Sequence, residues 1–196
     1  MKIRMIALCA LTIFFCGAAY GQGVIIPDEC HRCPPMPRPP RPIPIPRVLN
    51  IKSVKITIKI DSQVATTKVE QVFENETPYR LEGSYFFPIP ESASLSDFAI
   101  YDGDKRMSGE VLEKAKARQI YNEIVRRQID PGLLEYVGKD LFQANVFPIE
   151  PRSTKKIELT YTQVLKNEGG TVSYRYELGS GRRIQQQPIR EIAASV

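Results

Sequence analysis

Between Val54 and Ile60 the chain alternates strictly, with Val54, Ile56, Ile58 and Ile60 apolar and Lys55, Thr57 and Lys59 polar. A period of two sends successive side chains to opposite faces of a strand, so this segment must lie on a sheet with one face buried and one wet. The alternation returns at Ile157, Leu159 and Tyr161 against Lys156, Glu158, Thr160 and Thr162, and again at Val172, Tyr174, Tyr176 and Leu178. The expected fold class is therefore mainly β and, with the hairpins below, antiparallel.

Turn residues divide the strands. Asp61-Ser62-Gln63 separates the first strand from a β-branched run, Val64 to Glu74, which predicts an antiparallel hairpin that Asn75 to Pro78 then ends. Further strands are predicted at Leu81 to Phe87, Leu95 to Tyr101 and Lys105 to Leu112, the last two joined by Asp102-Gly103-Asp104. Asp-Gly is a strong hairpin signal. Asn167-Glu-Gly-Gly would similarly join the 157–162 strand to a strand over Val172 to Leu178. One segment departs from this pattern. Glu113 to Arg127 is rich in helix formers and places Ala117, Ile120, Tyr121, Ile124 and Val125 on one apolar stripe, while Asp130-Pro131-Gly132 stops it. The expectation is one amphipathic α-helix packed on the sheet.

The first residues add the compartment. Lys2 and Arg4 precede an uncharged apolar run from Met5, too short for a membrane span, and Ala19 and Gly21 suit a signal peptidase site. Residues 1–21 are read as a cleavable signal peptide, which places the mature chain outside the cytoplasm: secreted, periplasmic or cell-surface, with no transmembrane segment. Residues 22–46 are read as a Cys-x-x-Cys and proline-rich stalk, because eight prolines between Pro34 and Pro46 favour a semi-rigid polyproline II spacer. The folded domain is expected over 47–178, and 179–196 as a C-terminal tail or the approach to a following domain. A net charge of +5, of which Lys2 and Arg4 supply two, is spread among acidic residues rather than clustered, so no nucleic-acid partner is expected.

Few residues carry a chemical pattern. Cys30 and Cys33 bracket His31, the sole histidine, and export removes Cys9 and Cys16. A zinc site needs four ligands, haem attachment needs a histidine where Pro34 stands, and a thioredoxin-like site needs a helix start, so a disulfide, local or intermolecular, suits the pair better than metal or redox chemistry. Glu110, Glu113 and Glu123 belong to a solvated helix face, and Asp102 and Asp104 to a turn without the remaining oxygens of a calcium loop. Arg126 and Arg127 suit a helix C-terminus. No catalytic, cofactor or metal residue is assigned, and no enzyme activity is expected. The proline-rich strand ends Phe86 to Pro90 and Phe142 to Pro151 fit core packing and strand termination better than a sticky rim.

The wording of the chain then adds a family. Val69-Glu-Gln-Val-Phe-Glu-Asn, Leu81-Glu-Gly-Ser-Tyr-Phe-Phe-Pro-Ile-Pro, Gly109-Glu-Val-Leu-Glu-Lys-Ala-Lys-Ala-Arg-Gln-Ile-Tyr-Asn-Glu-Ile-Val, Leu133-Leu-Glu, Leu141-Phe-Gln-Ala-Asn-Val-Phe-Pro-Ile-Glu-Pro and Lys156-Ile-Glu-Leu-Thr-Tyr-Thr-Gln-Val follow one another in order. In that order they resemble the vault protein inter-alpha-trypsin (VIT) domain, of the kind found in bacterial secreted proteins, from about Arg47 to Leu178. The resemblance implies a β-sandwich with one helix, no catalytic residues, and a following von Willebrand factor type A domain. The Asp-x-Ser-x-Ser run of that domain's adhesion site does not occur here.

These readings converge on a non-catalytic exported scaffold domain whose partner is a protein or an adjacent von Willebrand factor type A domain. The alternative is a small secreted redox or metal-handling protein centred on Cys30 and Cys33. The scaffold reading further expects an exposed apolar patch of Val172, Tyr174 and Tyr176 with Ile189 and Ile192.

Overall fold

The computed structural model describes residues 23–31, 33–34, 42–90, 92–108, 119, 123, 141–176 and 189–196. Among them are eleven strands: β1 (Val24–Glu29), β2 (Asn50–Asp61), β3 (Val64–Asn75), β4 (Leu81–Pro88), β5 (Ala93–Asp102), β6 (Lys105–Ser108), β7 (Leu141–Ile149), β8 (Ser153–Val164), β9 (Asn167–Glu168), β10 (Thr171–Val172) and β11 (Glu191–Ser195). A six-stranded sheet runs in the order β11-β2-β3-β8-β5-β6, a three-stranded sheet in the order β1-β4-β7, and β9 pairs with β10. The alternation that predicted β2 and β8 holds along most of each strand, with two exceptions: Ile60 is exposed at the end of β2, and Glu158 is buried beneath its partners on β8. Along β3, Ala65, Thr67, Val69, Gln71, Phe73 and Asn75 are buried, and the intervening residues face outward.

The inner faces meet through aromatic rings. Phe98 and Phe142, from opposite sheets, lie edge to face at 4.8 Å, and Tyr85 is ringed by Phe73 at 5.9 Å, Phe98 at 6.1 Å and Phe142 at 6.3 Å. Such pairs add roughly 0.5–1.5 kcal/mol beyond their buried area. Phe86, Phe87 and Ile89 of the first proline-rich strand end lie in the core, as does Phe142 of the second.

Several strands differ from expectation. Val24–Glu29 falls in the segment read as stalk, yet it is β1, antiparallel to β4, with Val24, Ile25 and Ile26 buried. Val24, Ile25 and Ile26 form an apolar run too short to show a period of two, and they lie close to the proline cluster that begins at Pro34, so sequence alone groups them with the spacer. The second difference is β11, within the segment read as tail, which pairs with β2 in parallel, so the large sheet is mixed rather than antiparallel. The strand expected from Val172 to Leu178 is also replaced. Among its described residues only Thr171–Val172 pairs, with Asn167–Glu168, and residues 173–176 form no strand, because β3 and β5 already occupy both edges of β8.

That last segment instead closes the side of the sandwich which three strands cannot cover against six. Tyr174 and Tyr176 pack on the core, with Ile189 beside it, and the Tyr174 hydroxyl lies 2.6 Å from Thr67 Oγ1. The expected exposed patch is thereby undone: of its members only Ile192 stands well exposed. Burial pushes the Tyr161 and Tyr176 phenols far above their ordinary range, so both stay neutral.

Of the predicted helix, Gln119 and Glu123 are described. Both have helical backbone, and Gln119 Nε2 donates to Glu123 Oε1 at 3.3 Å. The stripe residues Ala117, Ile120, Tyr121, Ile124 and Val125 lie outside the described residues, as do Glu110, Glu113, Arg126 and Arg127.

Candidate interaction surface

The buried polar residues hold the sandwich together. Asn75 ends β3 under the turn that follows it: its Nδ2 donates to the carbonyls of Tyr79 (2.8 Å), Ile149 (3.3 Å) and Glu150 (2.9 Å), and its Oδ1 accepts from Thr77 N (3.0 Å) and Thr77 Oγ1 (2.7 Å). One side chain thus replaces the ladder that the backbone loses at the corner, which is why an amide is needed there. Deeper in, the Tyr85 hydroxyl donates to Gln71 Oε1 at 2.7 Å, and Gln71 Nε2 donates to the Gly23 carbonyl at 3.3 Å, tying β3, β4 and the start of β1 together.

Two glycines record how closely β1 approaches. A Cβ on Gly83 would stand 2.8 Å from the Ile26 carbonyl oxygen and 2.9 Å from Ile25 Cγ2, and one on Gly23 would stand 2.5 Å from the Tyr85 hydroxyl. Glycine inside a strand marks such an approach. Gly83 was therefore the signal in the sequence that another backbone crosses β4.

The outer face of the six-stranded sheet is a different surface. The polar halves of β2, β3 and β8 lie side by side, with Lys55 opposite Glu70 and Glu70 opposite Glu158. Glu158 accepts from Lys156 Nζ at 2.6 Å, Tyr101 Oη at 2.8 Å and Lys68 Nζ at 3.3 Å. Glu70 sits 3.2 Å from Lys156, 3.5 Å from Lys68 and 4.0 Å from Lys55, and Lys156 Nζ lies 4.4 Å from the centre of the Tyr101 ring. Burial alone would raise the Glu158 carboxyl, but the bonds from Lys156, Tyr101 and Lys68 outweigh it and hold the group at about 2. The Lys156 ammonium is raised chiefly by its bond to Glu158, and that of Lys68 by Glu70 and Glu158 against the opposing effect of burial. The result is a charge-patterned face on which Glu70 and Glu158 are each shared among several cationic partners.

The sequence-level candidates lie apart from it. Cys30 and Cys33 are disulfide-bonded just beyond β1, with Cα atoms 5.4 Å apart, and exposed His31 lies 3.3 Å from Glu82. Asp102, in the β5–β6 turn where Gly103 adopts φ 57°, accepts from Lys155 Nζ at 3.3 Å, an otherwise buried ammonium. Among the described residues no group of three or more His, Cys, Asp or Glu side chains gathers to hold a metal ion. Sequence reasoning assigned the outer-face lysines to solvated surface and missed their mutual order. The signal available was Lys68-Val-Glu70 and Lys156-Ile-Glu158, opposite charges two apart on strands that pair.

A mixed six-stranded sheet closed by a smaller antiparallel one, aromatic inside and charge-latticed outside, defines the protein as a β-sandwich domain. The chain belongs to the VIT family: the family model for the vault protein inter-alpha-trypsin domain matches residues 51–161. It is 31% identical over 111 residues to mouse protein mono-ADP-ribosyltransferase PARP4, covering 57% of this chain and 6% of that one. To von Willebrand factor A domain-containing protein 5A of Rattus norvegicus it is 30% identical over 128 residues, 63% of this chain and 16% of the relative. To inter-alpha-trypsin inhibitor heavy chain H1 of Sus scrofa it is 29% identical over 119 residues, 60% and 13% respectively. The chain thus matches about a sixth or less of each of these relatives' length.

Proposed function

We propose that this is a non-catalytic, exported interaction module that presents the outer face of the six-stranded sheet to a protein partner or to an adjacent von Willebrand factor type A domain. The observation that carries the reading is the interlocked array of Lys55, Lys68, Glu70, Lys156, Glu158 and Tyr101. A surface pattern of both signs selects and orients a partner of complementary pattern more than it adds raw affinity. The name of the rat relative, which records a von Willebrand factor A domain in that protein, supports such a neighbour. Export is supported by the Cys30–Cys33 disulfide, since such bonds persist in oxidising compartments.

Photo-crosslinking in living cells tests the face. A photoreactive side chain at Thr57 or Thr162 should trap a protein or a further part of the same polypeptide, while one at exposed Arg152, in the β7–β8 turn, should not. Equal trapping at all three positions, or none at the two face positions, would overturn the reading.

The helix stripe belongs to the same reading. Ala117, Ile120, Tyr121, Ile124 and Val125 would dock on the sheet and stiffen the module. Ile120→Ala should then cost roughly 2–5 kcal/mol in urea denaturation. An unchanged midpoint would sink that docking.

A further inference from the structure

The strand β11, an edge strand of the large sheet, is held to the domain chiefly through its backbone. All its side chains, Glu191 to Ser195, are exposed, with Ile192 at 50%, and none belongs to the core. What fixes it is a parallel backbone ladder, from Glu191 opposite Ser53 to Ser195 opposite Thr57, the pairing of exposed Arg190 with Glu74 (3.4 Å) and Glu76 (3.7 Å), and, two residues before the strand, half-buried Ile189 against the core. Surface ion pairs of this kind are worth about 0–1 kcal/mol.

The edge that receives β11 is built without it. β2 pairs with β3 from Asn50 to Asp61, and Val54, Ile56 and Ile58 are buried between the sheets. With β11 lifted away, β2 would remain folded and present a row of unpaired N–H and C=O groups, a template for another strand. Charge suits the donor too. β11 carries a single charge, Glu191, whereas β2 carries Lys52, Lys55 and Lys59 against one acid, Asp61.

A preformed acceptor and a lightly held donor in one chain can satisfy each other between two copies with the same contacts they make within one. We propose that the β2 edge is a strand-acceptor site and that its second occupant is β11 of another copy of this chain, exchanged reciprocally to give a two-fold dimer. The ladder, the register and the Arg190 pairs are identical in both arrangements, so association entropy and protein concentration set the balance. The inference goes beyond the module reading: it concerns the sheet's edge rather than its face, and either can fail alone.

The test mixes two full chains, one with a photoreactive side chain at Ala193 and one uniformly ¹⁵N-labelled, co-incubated over a roughly thousand-fold range of concentration before illumination. The expected product joins position 193 of one copy to residues 53–57 of the labelled copy, in a fraction that grows with concentration. Links confined to the same copy at every concentration would overturn the proposal, as would between-copy links that avoid β2. A double substitution, Ala193→Pro with Ala194→Pro, supplies the control, because alternate residues donate in a ladder and the two together remove at least one donor and clash with the pairing. It should leave the denaturation midpoint nearly unchanged and abolish the dimer. Should it instead unfold the domain, β11 would be an integral strand that does not exchange, and should the dimer persist, exchange would not be its cause.

Discussion

Two strands from outside the matched region, β1 and β11, join the sandwich by opposite means. β1 enters with Val24 and Ile25 fully buried, places its proline at an edge, and lies so close to β4 that Gly83 has no room for a side chain. β11 enters with every side chain in solvent and only its backbone engaged. Both count as strands, yet only the first removes apolar surface from water, and burial rather than pairing is what makes a strand hard to remove. The domain therefore has a fixed wall at one margin and a detachable slat at the other.

The comparison breaks first at Ile25. Ile25→Ala deletes fully buried atoms between the sheets and should lower stability by about 2–5 kcal/mol; a shift below half a kilocalorie in the urea midpoint would mean that β1 is as dispensable as β11. Charge sharpens the contrast at intermediate cost. Glu158, held at about 2 against an ordinary 4.5, contributes stability that is full above about pH 4.5 and is lost as pH falls through about 2. Allowing for solvent screening at this sheet surface, the loss should be roughly 1–2 kcal/mol, read as a fall in melting temperature across that window. Glu158→Gln should remove that part of the pH dependence, whereas an identical acid profile would show that the outer lattice does not stabilise the sheet. The smallest effect is expected at Ile192, half in solvent on β11, where Ile192→Ala should change stability by less than about 0.5 kcal/mol. A larger loss in calorimetry would promote β11 to part of the core and weaken strand exchange with it.

How far the chain could be read in advance follows from where each residue's partner lies. The strands at 50–75 and 153–164 are legible because their partners are the next residues but one, and period two declares the buried face without knowledge of what covers it. The outer lattice was only half legible. Its charges are visible in the chain, but that Lys68 and Lys156 converge on Glu158 depends on the register of β3 with β8, which brings Glu70 opposite Glu158. Asn75 could be read as a strand breaker, not as the amide that satisfies three carbonyls, since two of them arrive from Ile149 and Glu150.

What the sequence determined by itself was the sheet-forming alternation, the hairpin turns at Asp61 and Asp102, the separation of apolar core from charged face, and the motifs that place the chain among VIT domains. What only the tertiary structure decided was membership: that Val24–Glu29 is a wall of the small sheet, that Glu191–Ser195 lies parallel on β2, and that Tyr174 and Tyr176 cover the core instead of forming a strand. The physical reason is that local pattern reports which face a residue prefers, while the partner of an edge is chosen by whichever distant segment can satisfy its backbone without a clash. That choice depends on space, such as the missing Cβ of Gly83 and the occupied edges of β8, and space exists only once the other strands are in place.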